Sequence, residues 1–274
     1  MTSIKQKSKH LGFSLVELAI VLLIVTLLLG GLLVPLTAQI DQQRAKETQK
    51  ILSELKEALI GFAIINGRLP CPATPNSITG LESFCTNATG ACGTTLTTYP
   101  GHGRCTNPFD GLVPAAALGL TPITTQGLLL DGWSNPVHYA VSDAAIGSPA
   151  ITNALTTTSG MKSATISSMA TANLLYVCSS SGGITTTTCG APTPPTIQLT
   201  NNSAALVFSL GKNGNTGTLG PDETANINTG PSDPVFVSHD QSSGSVGNED
   251  FDDMLAWIPT GILINRMVSA GQLP

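Results

Sequence analysis

Six cysteines, at positions 71, 85, 92, 105, 178 and 189, are the residues of this 274-residue chain best suited to covalent or metal chemistry. No C-x-x-C pair occurs, and none of the four histidines is spaced from a cysteine as a zinc site requires, so the thiols read as disulfides formed in an oxidising compartment. Fifteen connectivities are open to six cysteines. The spacing favours Cys178 with Cys189 and Cys85 with Cys92 as short loops, which leaves Cys71 with Cys105. Catalysis would need a converging set of groups. His102, His138 and His239 are scattered, no G-x-S-x-G elbow is present, and Ser and Thr are too abundant to single one out. The chain is read as no enzyme, with no catalytic residue.

Glu17 is the other notable group. It heads a stretch, 18–36, that carries no charge at all. A carboxylate taken into hydrocarbon costs about 3 kcal/mol, so an acid in that position calls for a partner. The stretch is long enough to predict a transmembrane helix over 13–36, since a span needs about 20 apolar residues. Before it, residues 1–12 form a basic leader with Lys5, Lys7 and Lys9 and no acid. After it, Ile51, Leu52, Leu55, Ala58, Leu59 and Phe62 recur at three- and four-residue steps, predicting an amphipathic continuation of the helix over 37–66. Pro70 and Pro72 end it.

The remainder, 67–274, is read as one extracytoplasmic globular domain. It carries five Lys or Arg against twelve Asp or Glu, and a basic stub before an acidic body places the stub in the cytoplasm. An acidic body lacks the electrostatic footprint of a nucleic-acid binder, so no nucleic-acid partner is expected. Charged residues are 11% and aromatics 4% of the chain, which favours short strands and long turns. Strands are predicted at 137–141, 174–178, 204–210, 235–238 and 254–258, and a closing helix at 259–271. The Ser/Thr-rich segments 142–173 and 179–203 read as surface loops.

Gly12-Phe13-Ser14-Leu15-Val16-Glu17 closely resembles the prepilin peptidase site of type IV pilins and type II secretion pseudopilins. The resemblance implies cleavage after Gly12, N-methylation of Phe13, and an assembly role for Glu17, whose carboxylate would attract the Phe13 ammonium of a neighbouring subunit. Asp131-Gly132-Trp133-Ser134-Asn135-Pro136 looks like the turn that opens the pseudopilin sheet, with Ser134 in place of the usual Gly, and Ser209-Leu210-Gly211-Lys212-Asn213-Gly214 looks like the loop after a central strand. The expected fold class is α+β: a pilin-like long N-terminal helix, transmembrane in its first half, packed on a short-stranded antiparallel sheet with long loops.

The function so implied is that of a non-catalytic subunit, a minor pilin or pseudopilin, of a type IV pilus-like filament or type II secretion pseudopilus. The alternative is a membrane-anchored adhesive or ligand-binding protein using a pilin-like stem. Partners would be the prepilin peptidase/methyltransferase, other pilin-like subunits through the N-terminal helix, and the inner membrane. The location would be single-pass in that membrane, with the C-terminal domain periplasmic or extracellular. Major pseudopilins bind calcium through loops after a similar strand. The corresponding acids here are Asp222, Glu223, Asp250, Asp252 and Asp253, hard oxygen donors of the kind calcium takes, though their spacing matches no ligand pattern. No other cofactor is expected.

Overall fold

A computed structural model describes residues 14–190, 197–214, 219–227, 233–242 and 250–273, with backbone alone at 29–37. The chain divides into two compact units, Met1–Arg44 and Ala45–Pro274. Helix α1 spans Leu15–Asn66. Its start is set by a reciprocal cap: Ser14 Oγ accepts from the Glu17 amide at 3.4 Å, and Glu17 Oε2 accepts from the Ser14 amide at 3.1 Å, which satisfies two donors that a helix start leaves open. Its end is set by Gly67, whose φ of +66° suits the left-handed closing residue and whose amide donates back to the Ala63 carbonyl at 2.8 Å. From residue 45 on, Thr48, Leu52, Leu55, Leu59 and Ala63 form one buried stripe. Each leucine so covered contributes about 1.5–3 kcal/mol.

Beyond α1 the chain lays down β1 (Phe84–Cys85), β2 (Thr95–Leu96), β3 (Gly111–Leu112) and β4 (His138–Val141). There follow α2 (Gly160–Ala164), α3 (Ile166–Thr171), β5 (Leu175–Cys178) and β6 (Gln198–Ser209). Last come α4 (Pro221–Thr224), β7 (Val235–Val237), β8 (Met254–Pro259) and α5 (Thr260–Ser269). Strands β1 and β2 make a small separate ribbon. The other six form one sheet in the order β3-β4-β6-β5-β7, with β8 also on β6. Strand β6 is its hub, pairing antiparallel with β4, β5 and β8. Side chains alternate between two apolar layers, as a pleated strand requires. Tyr139, Val141, Ala205 and Val207 face the layer that contains the α1 stripe and Leu263, Ile264 and Met267 of α5. Ala140, Leu206 and Phe208 face the other, with Leu175, Val177 and Phe236.

Three disulfides join Cys71 to Cys105, Cys85 to Cys92 and Cys178 to Cys189. A buried ion pair lies close to the first: Arg68 grips Glu82 with two bonds of 2.6 and 2.9 Å, and the Cys71 amide adds a third at 2.8 Å. The Arg68 guanidinium also lies 4.4 Å from the Tyr99 ring centre.

The expected fold class, pilin-like α+β on an antiparallel sheet, is overturned. The body is a mixed α/β arrangement in which β5 and β7 run parallel and the hub strand reaches 12 residues. The transmembrane first half is corrected as well: among the described residues no helix is long and apolar enough to cross a membrane. The single-pass inner-membrane placement, with its cytoplasmic N-terminus, falls with that helix.

Candidate cation site

Three chain segments converge at the end of the hub strand. Strand β6 stops at Ser209 and turns through Gly211, whose φ is +62°. A Cβ on Gly211 would overlap Asp252 Oδ1, so no side chain fits there. The short helix α4 starts on Pro221, with the Gly220 amide donating to Glu223 Oε2 at 3.2 Å. The third segment is the approach to β8, where Asp252 and Asp253 precede Met254.

Together these segments place one carboxylate oxygen each of Glu223, Asp252 and Asp253 within 4.8 Å of one another. Glu223 is wholly buried and accepts from Asn213 Nδ2 at 3.1 and 2.9 Å and from the Asp252 amide at 3.0 Å. Asp252 Oδ2 accepts from the Lys212 amide at 3.1 Å. Asp253, 3% exposed, accepts on Oδ2 from Asn226 Nδ2 at 2.7 Å, and Asn226 is itself fixed by the Val237 amide at 2.8 Å. The remaining oxygens, Asp252 Oδ1 and Asp253 Oδ1, are buried and accept no hydrogen bond.

The energetics of that arrangement are unfavourable for an empty, ionised cluster. Burial first, then the charge of Glu223, pushes Asp252 up to about 6. Burial, reinforced by Glu223 and Asp252 against the Asn226 bond, pushes Asp253 up to about 8. A buried acceptor left unpaired costs about 1–3 kcal/mol, and more when charged. A hard cation would relieve both penalties at once, and an all-oxygen set suits calcium or magnesium rather than zinc.

Of the five acids singled out in the sequence, the structure therefore brings three together. Asp222 turns the other way, to the Ser181 amide at 2.6 Å and His239 Nε2 at 3.1 Å. Burial works to raise its pKa, but those bonds and the facing His239 outweigh it and hold Asp222 below its ordinary value. Asp250 is exposed and lines a separate recess of about 460 Å³ with Asp222, His239 and Phe251. The sequence reading named Asn213 only as part of the 209–214 loop, and Asn226 escaped it. Only the position of Asn213, two residues past the Gly211 turn, marks it. Glu17 is exposed and engaged in the α1 cap, while Gly12 and Phe13 lie outside the described residues.

No protein-family model, characterised protein or solved structure matches the chain.

Proposed function

We propose that the chain is a non-catalytic subunit of a filament of the type IV pilus or secretion-pseudopilus kind, cleaved between Gly12 and Phe13, with a calcium ion held by Glu223, Asp252 and Asp253. One observation carries the filament reading: every large apolar side chain of α1 from Leu15 to Leu28 is at least 42% exposed. Such a contiguous apolar surface marks an interaction site, and like faces of other copies would cover it as helices in a bundle do. The prepilin-like hexapeptide Gly12–Glu17, which overlaps the start of that stretch, supports the processing step. Calcium is supported by the buried, unpaired oxygens of Asp252 and Asp253. Calcium takes carboxylate oxygens readily, and in this site it would tie α4 and the start of β8 to each other.

The filament reading is tested with Val21→Cys. All six native cysteines are in disulfides, so the new thiol is the only free one. Crosslinking through it should capture a second copy or another subunit with the same kind of helix, and intact mass should start the chain at Phe13. A monomer without crosslinks, or a mass starting at Met1, overturns the reading.

A further inference from the structure

We propose that Asn135 is a positioning residue of the cation site, aiming the 211–212 peptide so that Asp252 presents its second oxygen to the ion. The inference rests on the reading of Glu223, Asp252 and Asp253 as a calcium site. Its basis is the geometry of one peptide group. Asn135 Nδ2 donates to the Gly211 carbonyl at 2.6 Å. The other end of the same peptide, the Lys212 amide, donates to Asp252 Oδ2 at 3.1 Å. In a planar trans peptide the C=O and N–H point in opposite directions, so holding one end aims the other. Gly211 needs such a hold, because its left-handed φ and lack of a side chain leave its backbone freer than any other residue's.

Asn135 is in turn held rigidly. It is 7% exposed, and its amide donates to Asp131 Oδ1 at 2.8 Å, an oxygen that also takes the Trp133 amide at 2.9 Å. The second oxygen of Asp131 accepts from Ser209 Oγ, and Ser209 Oγ accepts from the Gly211 amide at 3.1 Å. Both polar ends of Gly211 are thus fixed by the 131–135 turn, one through Asn135 and one through Asp131 and Ser209. With Oδ2 pinned by the Lys212 amide, Asp252 is left with Oδ1 buried and unpaired. The turn itself is anchored to α1, where Thr48 Oγ1 accepts from the Gly132 amide at 3.0 Å.

The test is a calcium titration by calorimetry together with melting in calcium and in EDTA, on the wild type and on Asn135→Ala. Outer-shell partners of metal ligands are worth about 10–100-fold in affinity. Asn135→Ala should weaken calcium by about tenfold or more and shrink the calcium-induced rise in Tm. A merely structural Asn135 would lower Tm equally in calcium and in EDTA and leave the affinity alone, and that result overturns the inference. Should the alanine variant not fold, Asn135→Asp keeps the volume and replaces the donating Nδ2 with an acceptor, with the same expectation. A wild type that binds no calcium removes the cation reading itself. A wild type that binds, with a variant that binds as tightly, removes only the role of Asn135.

Discussion

Burial pushes Asp253 up to about 8 and Asp252 to about 6, so the cation-free fold holds protons that an unfolded chain releases near pH 4. A carboxyl whose folded pKa is raised contributes stability at low pH that is lost as pH rises through the folded value. His138 works in the opposite sense. Burial holds it down at about 4 beside the Phe208 ring, so its contribution is lost as pH falls from about 6.5 towards 4. Above pH 6.5 only the acids remain in play. In EDTA the protein should lose stability between pH 6.5 and 8.5, by at most about 1.4 kcal/mol per pH unit for each group titrating, while saturating calcium flattens the profile. Melting curves at four pH values decide it, and a flat profile in EDTA contradicts the placement of Asp253. At the other end of the chain, Glu17 caps its own helix, so its assembly role must be separated from its local one. Glutamine also closes a capping box, so Glu17→Gln should leave helicity intact while impairing crosslinking through Val21→Cys. Ser14→Ala should instead fray the helix start, at a cost of about 1 kcal/mol, visible by circular dichroism. The acids of the cation site were visible in the sequence as oxygen donors, but their grouping was not. Glu223 and Asp252 stand 29 residues apart, and only the strand end that carries Gly211 brings their segments together.

The end of α1 and the first disulfide are locked by one buried ion pair. Arg68 and Glu82 are nearly inaccessible, and removing one partner of such a pair costs about 3–5 kcal/mol because the other charge is left buried alone. Arg68→Leu should therefore destabilise by that order in urea titrations, and Arg68→Leu with Glu82→Leu should recover most of the loss. A single variant as stable as the wild type would show that water reaches Glu82 freely. The same scale shows what local pattern reveals and what it hides. Apolar runs mark the strands at His138, Leu175, Val235 and Met254 to within a residue or two, since each is short, apolar and bounded by turn residues. The hub strand was expected only from 204, because Gln198, Thr200, Asn201 and Asn202 are polar. They pair because β5 offers its edge there, which is tertiary context rather than propensity. The parallel pairing of β5 with β7 was hidden too, since 59 residues separate Val177 from its partner in register, Phe236. Helices α2 and α3 lay inside a segment read as loop: Ser and Thr mask them, although Met161 and Met169 anchor them in the core.

At the scale of the molecule, the sheet has a single hub, and β4 and β8 occupy opposite flanks of β6. Strand β8 pairs along the hub from Ser203 to Ser209, and α5 then packs Leu263, Ile264 and Met267 into the main core. Both are among the last elements in chain order. Order of synthesis thus becomes a property of the fold. A ribosome adding roughly 5–20 residues per second leaves the hub with a bare flank for some seconds after β6 emerges. An unpaired apolar strand edge is a template for aggregation. A chain stopped after Asp253 should accordingly sediment or self-associate, whereas one lacking only the last residues after Ser269 should stay monodisperse in analytical ultracentrifugation. A soluble, monomeric product from the first truncation would mean that the hub does not depend on β8. Otherwise the chain is most exposed to misassembly while it is being made, and a helper that shields β6 until the C-terminus arrives would matter more to its yield than the stability of the finished fold.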